Sequence, residues 1–476
     1  MSQLYVIVLA IIVVVLLGVA IYRTSRVKTK ADYLVAGRSL PALVLVLTLL
    51  TSWIGAGSLF AGAENAYRNG FAALWLPAGG WLGLLLIYFI APRARKFAQF
   101  TLPDLLEARY NQTARVLGTL AILFAYVGIT SYQFKGGGNV LHLIFPDQVS
   151  PNLGTWIIAA FVIVTTALAG MSSVAYMDVV IGSLVTVICI IATPYLLHEA
   201  GGWAGLHAVL PETHFEVLGN LTFLRAMEFM VPTLLLMLGN QVMYQKFFSA
   251  RSEKDARISV VGWIGGTVLL ETLIVAIAVF GSAMYRTGEV LQQPYEIIPY
   301  TARHGLPALM GAILLGAVFA KVISTASNYL FSPASNLIED VYVRYLAPRA
   351  SNRQVLIFSR LAVVLLGVWA LYQAIYAPSI LEKMLWAYTI YSAALTPVVL
   401  AAFYSRRVTA WGAVAAIASG TVVTLAWDVP GVKELFPPII AERDAIFPAL
   451  VVSVVFMIVV SLFTPKPAEA QLARFE

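Results

Sequence analysis

Polar side chains stranded inside long apolar runs are the first candidates for chemistry in this chain, and three segments concentrate them. The first is Thr51-Ser52-Trp53-Ile54-Gly55-Ala56-Gly57-Ser58, with two glycines and three hydroxyls in mid-run. Such a stretch reads as a broken helix whose unwound carbonyls coordinate a cation, or as close helix packing through small residues. In the second, Lys321, Ser324, Thr325 and Asn328 recur at i, i+3, i+4 and i+7, which places them on one polar helix face turned away from lipid. Lys321 lies too deep in its run to reach the headgroups; an intramembrane lysine marks function by default, with a structural ion pair as the alternative. The third is Tyr132-Gln133-Phe134-Lys135-Gly136-Gly137-Gly138-Asn139, whose glycines predict a kink or tight packing. There Lys135 is a candidate for substrate binding or for a static salt bridge to Glu64 or Glu228.

Two further sets belong with these. Asp178, near the start of its run, is placed to receive a departing cation or to complement the helix dipole. Trp386, Tyr388 and Tyr391 read as pocket walls, or as interfacial anchors and core. No nucleophile–base pair accompanies the polar residues, which argues against an enzyme. The five histidines, His142, His198, His207, His214 and His304, show no metal-ligand spacing, and the single cysteine, Cys189, excludes an internal disulfide. No organic cofactor is implied.

The elements that must position these residues are set by composition. Of 476 residues, 60% are hydrophobic and 12% charged, about half the charged share of an ordinary soluble domain. The lipid bilayer is therefore the main solvent, and the class is all-α and polytopic. Apolar runs near 4–22, 41–67, 70–91, 116–144, 153–170, 174–198, 222–248, 258–284, 305–332, 354–376, 380–403, 409–427 and 445–464 give thirteen expected spans. The first lacks a basic leader and a cleavage site, so it is expected to be retained. The net charge of +7 comes from short basic clusters between runs, not from a stripe that would bind nucleic acid. Those clusters, among them Arg23, Arg26, Lys28, Lys30 and Arg38, then Arg93, Arg95, Lys96, Arg109 and Arg115, fall in alternate loops. The positive-inside rule then puts the N-terminus outside and the C-terminus in the cytoplasm.

Order and spacing of several short motifs identify the chain as similar to the sodium:solute symporters, which include proline, sugar, pantothenate and choline carriers. Asp32-Tyr33-Leu34-Val35-Ala36-Gly37-Arg38-Ser39-Leu40-Pro41 resembles the segment before that family's first core helix. Thr101-Leu102-Pro103-Asp104 with Ala108-Arg109-Tyr110 resembles the one after the second. Asn240-Gln241 with Tyr244-Gln245-Lys246 resembles the sixth, and Ser324-Thr325 followed by Glu339-Asp340-Val341-Tyr342 the eighth. The resemblance implies the LeuT-type fold: two inverted five-helix repeats over 40–403, a peripheral helix and loop over 1–39, and two peripheral helices with a short tail over 404–476. It implies cation-coupled symport of a small organic solute in a bacterial inner membrane, without an obligatory protein partner. The alternative is a sensor on a carrier fold, binding without transport.

The resemblance also implies site residues. Sodium would sit between the first and eighth core helices, on the carbonyls of Thr51 and Ile54 and the hydroxyls of Ser324 and Thr325, with Asp178 on the exit route. Ile181 departs from the glutamine often found there. Solute would lie by Trp53, Ser58, Asn240 and Tyr388. Trp53 hints at a choline-type aromatic face, while Asn240 hints at a hydroxyl-bearing solute, and the two conflict. Lys321 stands where relatives usually have a small residue whose carbonyl binds sodium. Its ammonium is expected to reach the same oxygens, so that sodium and a charged Lys321 exclude each other and a proton on Lys321 becomes the alternative coupling ion.

Overall fold

The computed structural model describes residues 2–24, 29–97, 101–285, 293–376 and 379–472. Arg26 and Lys28 of the first basic cluster lie outside these residues. All regular structure among the described residues is helical, apart from an isolated bridge between Leu40 and Ala250.

Twelve helical stretches are long and apolar enough to cross a membrane. The difference from the thirteen expected lies in the run 41–67, which is not one helix. Ala42–Trp53 stops at Ile54, whose backbone is extended (φ −82°, ψ 119°). Helical structure resumes at Gly57–Gly62 and Ala63–Asn69, then turns at Gly70 (φ 62°). The apolar stretch that qualifies there is Gly57–Pro92, and Ala42–Trp53 is too short to count by itself.

Burial separates central from peripheral helices. The most apolar windows of Ile380–Tyr404 and Ala308–Leu346 are 89% and 78% buried, against 17% for Gln3–Arg23 and 28% for Ile446–Phe463. Ala308–Asn336 packs on Gln112–Ile144, on Pro151–Glu199 and on Ala42–Trp53, which brings the polar face of Lys321 against the broken segment.

The glycine triplet serves packing, for Gln112–Ile144 passes through it as one helix. A Cβ on Gly138 would stand 2.5 Å from the Thr155 backbone nitrogen, and one on Gly136 3.0 Å from Ala56. Side chains there would force the helices apart.

A second break interrupts the run 222–248. Phe223–Gly239 ends at Asn240, which is extended (φ −64°, ψ 112°), and Gln241–Ser249 begins. The Asn240 side chain accepts the Val242 amide at 3.0 Å, and Tyr391 Oη accepts the Gln241 amide at 2.9 Å. Orphaned helix-end amides buried in the bundle are thereby satisfied, as they must be in the absence of water.

Candidate cation and solute sites

At the first break, the helix end leaves carbonyls without amide partners. The Thr325 hydroxyl stands 3.2 Å from Thr51 O, 3.0 Å from Ile54 O and 3.0 Å from Lys321 O. A hydroxyl carries one proton. It can satisfy one of these carbonyls, so the cluster has more acceptors than hydrogens. Oxygen-rich and proton-poor, such a cradle suits a bare cation. Gly55 makes the approach possible, since a Cβ there would lie 2.7 Å from Thr325 Cγ2. The Gln133 side chain steadies the far side of the break by accepting the Ala56 amide at 2.8 Å.

Lys321 is wholly buried beside this cradle, but not on its oxygens. Its ammonium donates to Leu50 O at 3.2 Å. Among the described residues no carboxylate lies within ion-pair distance of it. The side chain leaves the helix one turn from Thr325 and meets the preceding carbonyl of Ala42–Trp53, so its own main-chain oxygen stays in the cradle.

Beside the cradle, toward Pro151–Glu199, lies a buried polar cluster that holds Asp178 and a second lysine. Lys246 Nζ donates to Thr48 Oγ1 at 2.6 Å and to Asn328 Oδ1 at 2.8 Å, and stands 3.4 Å from Asp178 Oδ2. Asp178 also accepts the hydroxyls of Thr48 and Ser324 and the Asn328 amide. Ser324 therefore points to Asp178 and not to the carbonyl cradle. Thr51 donates its hydroxyl to Asp178 O at 3.2 Å, which ties the broken helix to the same place. Lys246 read in sequence as part of a motif at the exit of a helix. Its signal was position: a lysine flanked by Tyr244, Phe247 and Phe248, all buried.

Beside the break, toward Leu76 and Pro77, is a small cavity of about 30 Å³ lined by Trp53, Gly57, Ser58, Glu271, Met384 and Tyr388 among others. Three of the five expected solute residues, Trp53, Ser58 and Tyr388, meet here. The rings of Trp53 and Tyr388 are stacked at 6.5 Å and 27°. Asn240 and Lys135 are not part of the lining. Asn240 caps its helix, accepts Tyr126 Oη–H at 2.9 Å and donates to Tyr329 Oη at 2.8 Å. The acids proposed for Lys135 are engaged by arginines, Glu64 by Arg68 at 3.0 Å and Glu228 by Arg225 at 2.6 Å. Of the other aromatic candidates, Tyr391 supports the second break and Trp386 lies under the Lys383 ammonium at 3.8 Å.

Glu271 was missed in the sequence although it is the one carboxylate within the apolar run 258–284. It is 4% exposed. Its Oε1 accepts Trp53 Nε1–H at 3.0 Å and the Ser58 hydroxyl at 3.3 Å, and its Oε2 accepts Trp81 Nε1–H at 2.9 Å.

Two arginines read as loop charges are also structural. Arg115 is 4% exposed and pairs with Asp104 at 2.7 Å, with Asp340 at 2.6 Å and with Glu107. Arg109 donates to Ser405 O at 2.8 Å. These contacts join Leu102–Arg109, Gln112–Ile144 and the segment Leu337–Leu346 at the end of the bundle away from the cavity.

Comparison with known proteins places this geometry. The sodium:solute symporter family model matches residues 33–420. The osmoregulated proline transporter OpuE of Bacillus subtilis is 24% identical over 98% of this chain and 96% of its own length. A sodium/proline symporter of Staphylococcus aureus is 26% identical over 97% and 93%. Among solved structures, a substrate-bound, outward-open Na+-coupled sialic acid symporter superposes with a TM-score of 0.82 at 17% identity, covering 97% of this chain and 98% of that one. Mhp1, a nucleobase-cation-symport-1 family transporter, gives 0.61 at 14% identity, with 94% and 99% covered. The shared architecture is the LeuT-type fold.

Proposed function

The chain belongs to the sodium:solute symporter family and is a cation-coupled secondary transporter in a membrane, and from that premise we propose how it divides the work between its two buried sites. The cavity between Trp53, Ser58, Glu271 and Tyr388 holds a small organic solute. The cradle of Thr51 O, Ile54 O, Lys321 O and Thr325 Oγ1, with the Lys321 ammonium beside it on Leu50 O, forms the coupling region. Both regions border the break at Ile54–Ala56, so a change of charge beside it acts on the shape of the solute cavity directly. The working core spans 40–403, with 1–39 and 404–476 peripheral, and the N-terminus faces outward across a bacterial plasma membrane.

The coupling event is protonation of Lys321 and not sodium binding. The single observation behind this reading is a wholly buried ammonium one helical turn from the cradle, hydrogen-bonded to Leu50 O and without a carboxylate partner among the described residues. Two unit charges about 5 Å apart at an effective dielectric of about 20 repel by roughly 3 kcal/mol, so a sodium ion in the adjoining cradle and a charged Lys321 oppose each other. Lys246 already supplies the positive charge opposite Asp178, so the Asp178 cluster has no vacancy for a second ion. Ordinary sodium coupling, with Lys321 neutral, is the second reading. It is favoured by the surplus of carbonyl acceptors around Thr325.

Uptake in proteoliposomes separates the two readings. L-Proline, the solute of the Bacillus and Staphylococcus relatives, is the first probe, followed by quaternary amines, sugars and carboxylates. Uptake should persist in sodium-free buffer, rise with an inward proton gradient, and lose that rise in Lys321→Ala. Strict sodium dependence of the unmodified protein would sink proton coupling through Lys321 and establish the second reading. Binding without accumulation under any gradient would instead count against the proposed division of sites.

A further inference from the structure

The charge in the solute cavity identifies a property of the solute. Glu271 is the one ionisable carboxyl, and no lysine, arginine or histidine stands with it, among the residues that line the cavity. Its three hydrogen-bond donors, Trp53, Ser58 and Trp81, are all neutral. No basic side chain among the described residues lies within ion-pair distance of it. Neutral donors orient a carboxylate and lower its desolvation cost, but they do not cancel its charge; Lys321 acts on it only from beyond ion-pair distance, and a carboxylate kept this deep without a counter-charge in contact is expensive.

From this arrangement we propose that Glu271 is the specificity-determining residue of the cavity and that the transported solute carries an ammonium group which pairs with it. The proposal rests on the reading of this cavity as the solute site. A carboxylate has about four acceptor positions. Three are occupied by the wall, which leaves one for a donor that enters the cavity. The same wall presents two π-faces, Trp53 and Tyr388, the natural complement of an organic cation. The rest of the lining, with Leu76, Pro77, Ile274, Val275 and Met384, is apolar and suits the carbon skeleton of a small amine or amino acid. An anionic solute without an ammonium would meet Glu271 with nothing in the lining to offset the repulsion. A neutral polyol would leave the carboxylate uncompensated.

Two of the donors come from the broken segment itself. Trp53 is the last residue of Ala42–Trp53, and Ser58 follows the break. Glu271 therefore clasps both edges of the segment whose carbonyls form the cation cradle. An ammonium docking on Glu271 competes with or redirects these bonds. Recognition of the solute's charge is in this way tied to the element that must move.

The test uses full-length protein in nanodiscs and matched pairs of probes that differ in the charge on one atom: choline with 3,3-dimethylbutan-1-ol, and L-proline with tetrahydrofuran-2-carboxylate. Binding is read by ligand-induced thermal stabilisation and confirmed by calorimetry. At least one ammonium-bearing probe should bind tenfold or more tightly than its partner without the ammonium. Glu271→Gln, which keeps shape and acceptor, should erase that preference, and Glu271→Asp should retain part of it. The proposal is overturned if no ammonium-bearing probe binds, if the paired probes bind alike, or if Glu271→Gln keeps the preference. A Glu271→Gln protein that keeps the preference but loses its response to a proton gradient would give the carboxyl a proton-carrying role instead. Trp53→Ala separates the cavity from the charge. If Trp53→Ala weakens binding while Glu271→Gln does not, the cavity stands and the ammonium assignment fails. If neither variant changes binding of a probe that the protein does bind, the cavity reading itself fails.

Discussion

Asp178 and Lys246 show how single residues set the electrostatics around the coupling site. Both are buried to 0% exposure, and they touch at 3.4 Å inside a shell of Thr48, Ser324 and Asn328. Asp178 is thus neither a free carboxylate awaiting an ion nor a simple helix-dipole partner. Removing one member of a buried pair leaves the other charge uncompensated and typically costs about 3–5 kcal/mol, whereas removing both is often close to neutral. Lys246→Met should therefore lower the unfolding midpoint markedly, and adding Asp178→Asn should recover most of the loss. A thermal-unfolding cycle in detergent checks this, and additive losses would mean that the two charges are not coupled. Near them Lys321 remains the unpaired cation of this region among the described residues. The contrast between one lysine with an acid in contact and one without is what supports the coupling role proposed for Lys321.

The two interrupted helices carry the sites at the scale of elements. At Ile54 the interruption frees carbonyls toward Thr325, and at Asn240 it frees amides that Asn240 and Tyr391 take up. The first break thus leaves carbonyls facing Thr325, while the second is closed on itself, with the Asn240 side chain engaged by Val242, Tyr126 and Tyr329. Gly55 is the residue on which the first break depends. An added methyl would meet Thr325 Cγ2 at 2.7 Å and Gln133 Nε2 at 2.8 Å, in a packed interior with little room to yield. Overpacking of this kind costs about 1–3 kcal/mol. Gly55→Ala should keep the fold and its insertion but displace Thr325 from the carbonyls, abolishing cation-driven accumulation before it abolishes solute binding. Counterflow with equal cation on both sides, compared with gradient-driven uptake, reads out the difference. Equal loss in both assays would place the effect on the solute cavity instead.

Across the whole molecule the buried network of Arg115, Asp104, Glu107 and Asp340 joins three segments at one end, while the cavity lies toward the other. Ion pairs that link segments at one end of the bundle are contacts an alternating-access carrier must rearrange when that end opens. The basic loops are the ground on which we propose that the end with the Arg115 network faces the cytoplasm. A phosphatase fused after Glu476 should be inactive and a fluorescent protein at the same position should fluoresce, since the C-terminus then lies inside. Active phosphatase would reverse the assignment of both ends and put the Arg115 network outside. Arg109 and Arg115 contribute to the count of cytoplasmic charges and also hold the bundle together, so neutralising them tests stability before it tests orientation.

The sequence by itself determined the solvent of this protein, its helical class and the family, because twelve or thirteen apolar runs and the order of several motifs survive without any knowledge of contacts. The family resemblance put Thr51, Ile54 and Thr325 together, and the Thr325 hydroxyl does meet the carbonyls of the other two. Trp53, Ser58 and Tyr388, named by the same resemblance, line one cavity. Only the tertiary structure decided the rest. Lys246 and Glu271 each lie in segments that give no local sign of a partner, and Lys246 reaches Asp178 across 68 residues of chain. Glu271 meets Trp53 across 218. The same holds for Asn240, drawn from the expected solute site into a helix cap, and for Lys321, whose ammonium settles on Leu50 and not on the cradle. Hydrophobic patterning is a local property and is written in the chain. The pairing of buried charges depends on which helices become neighbours, and the packing of the bundle makes that choice.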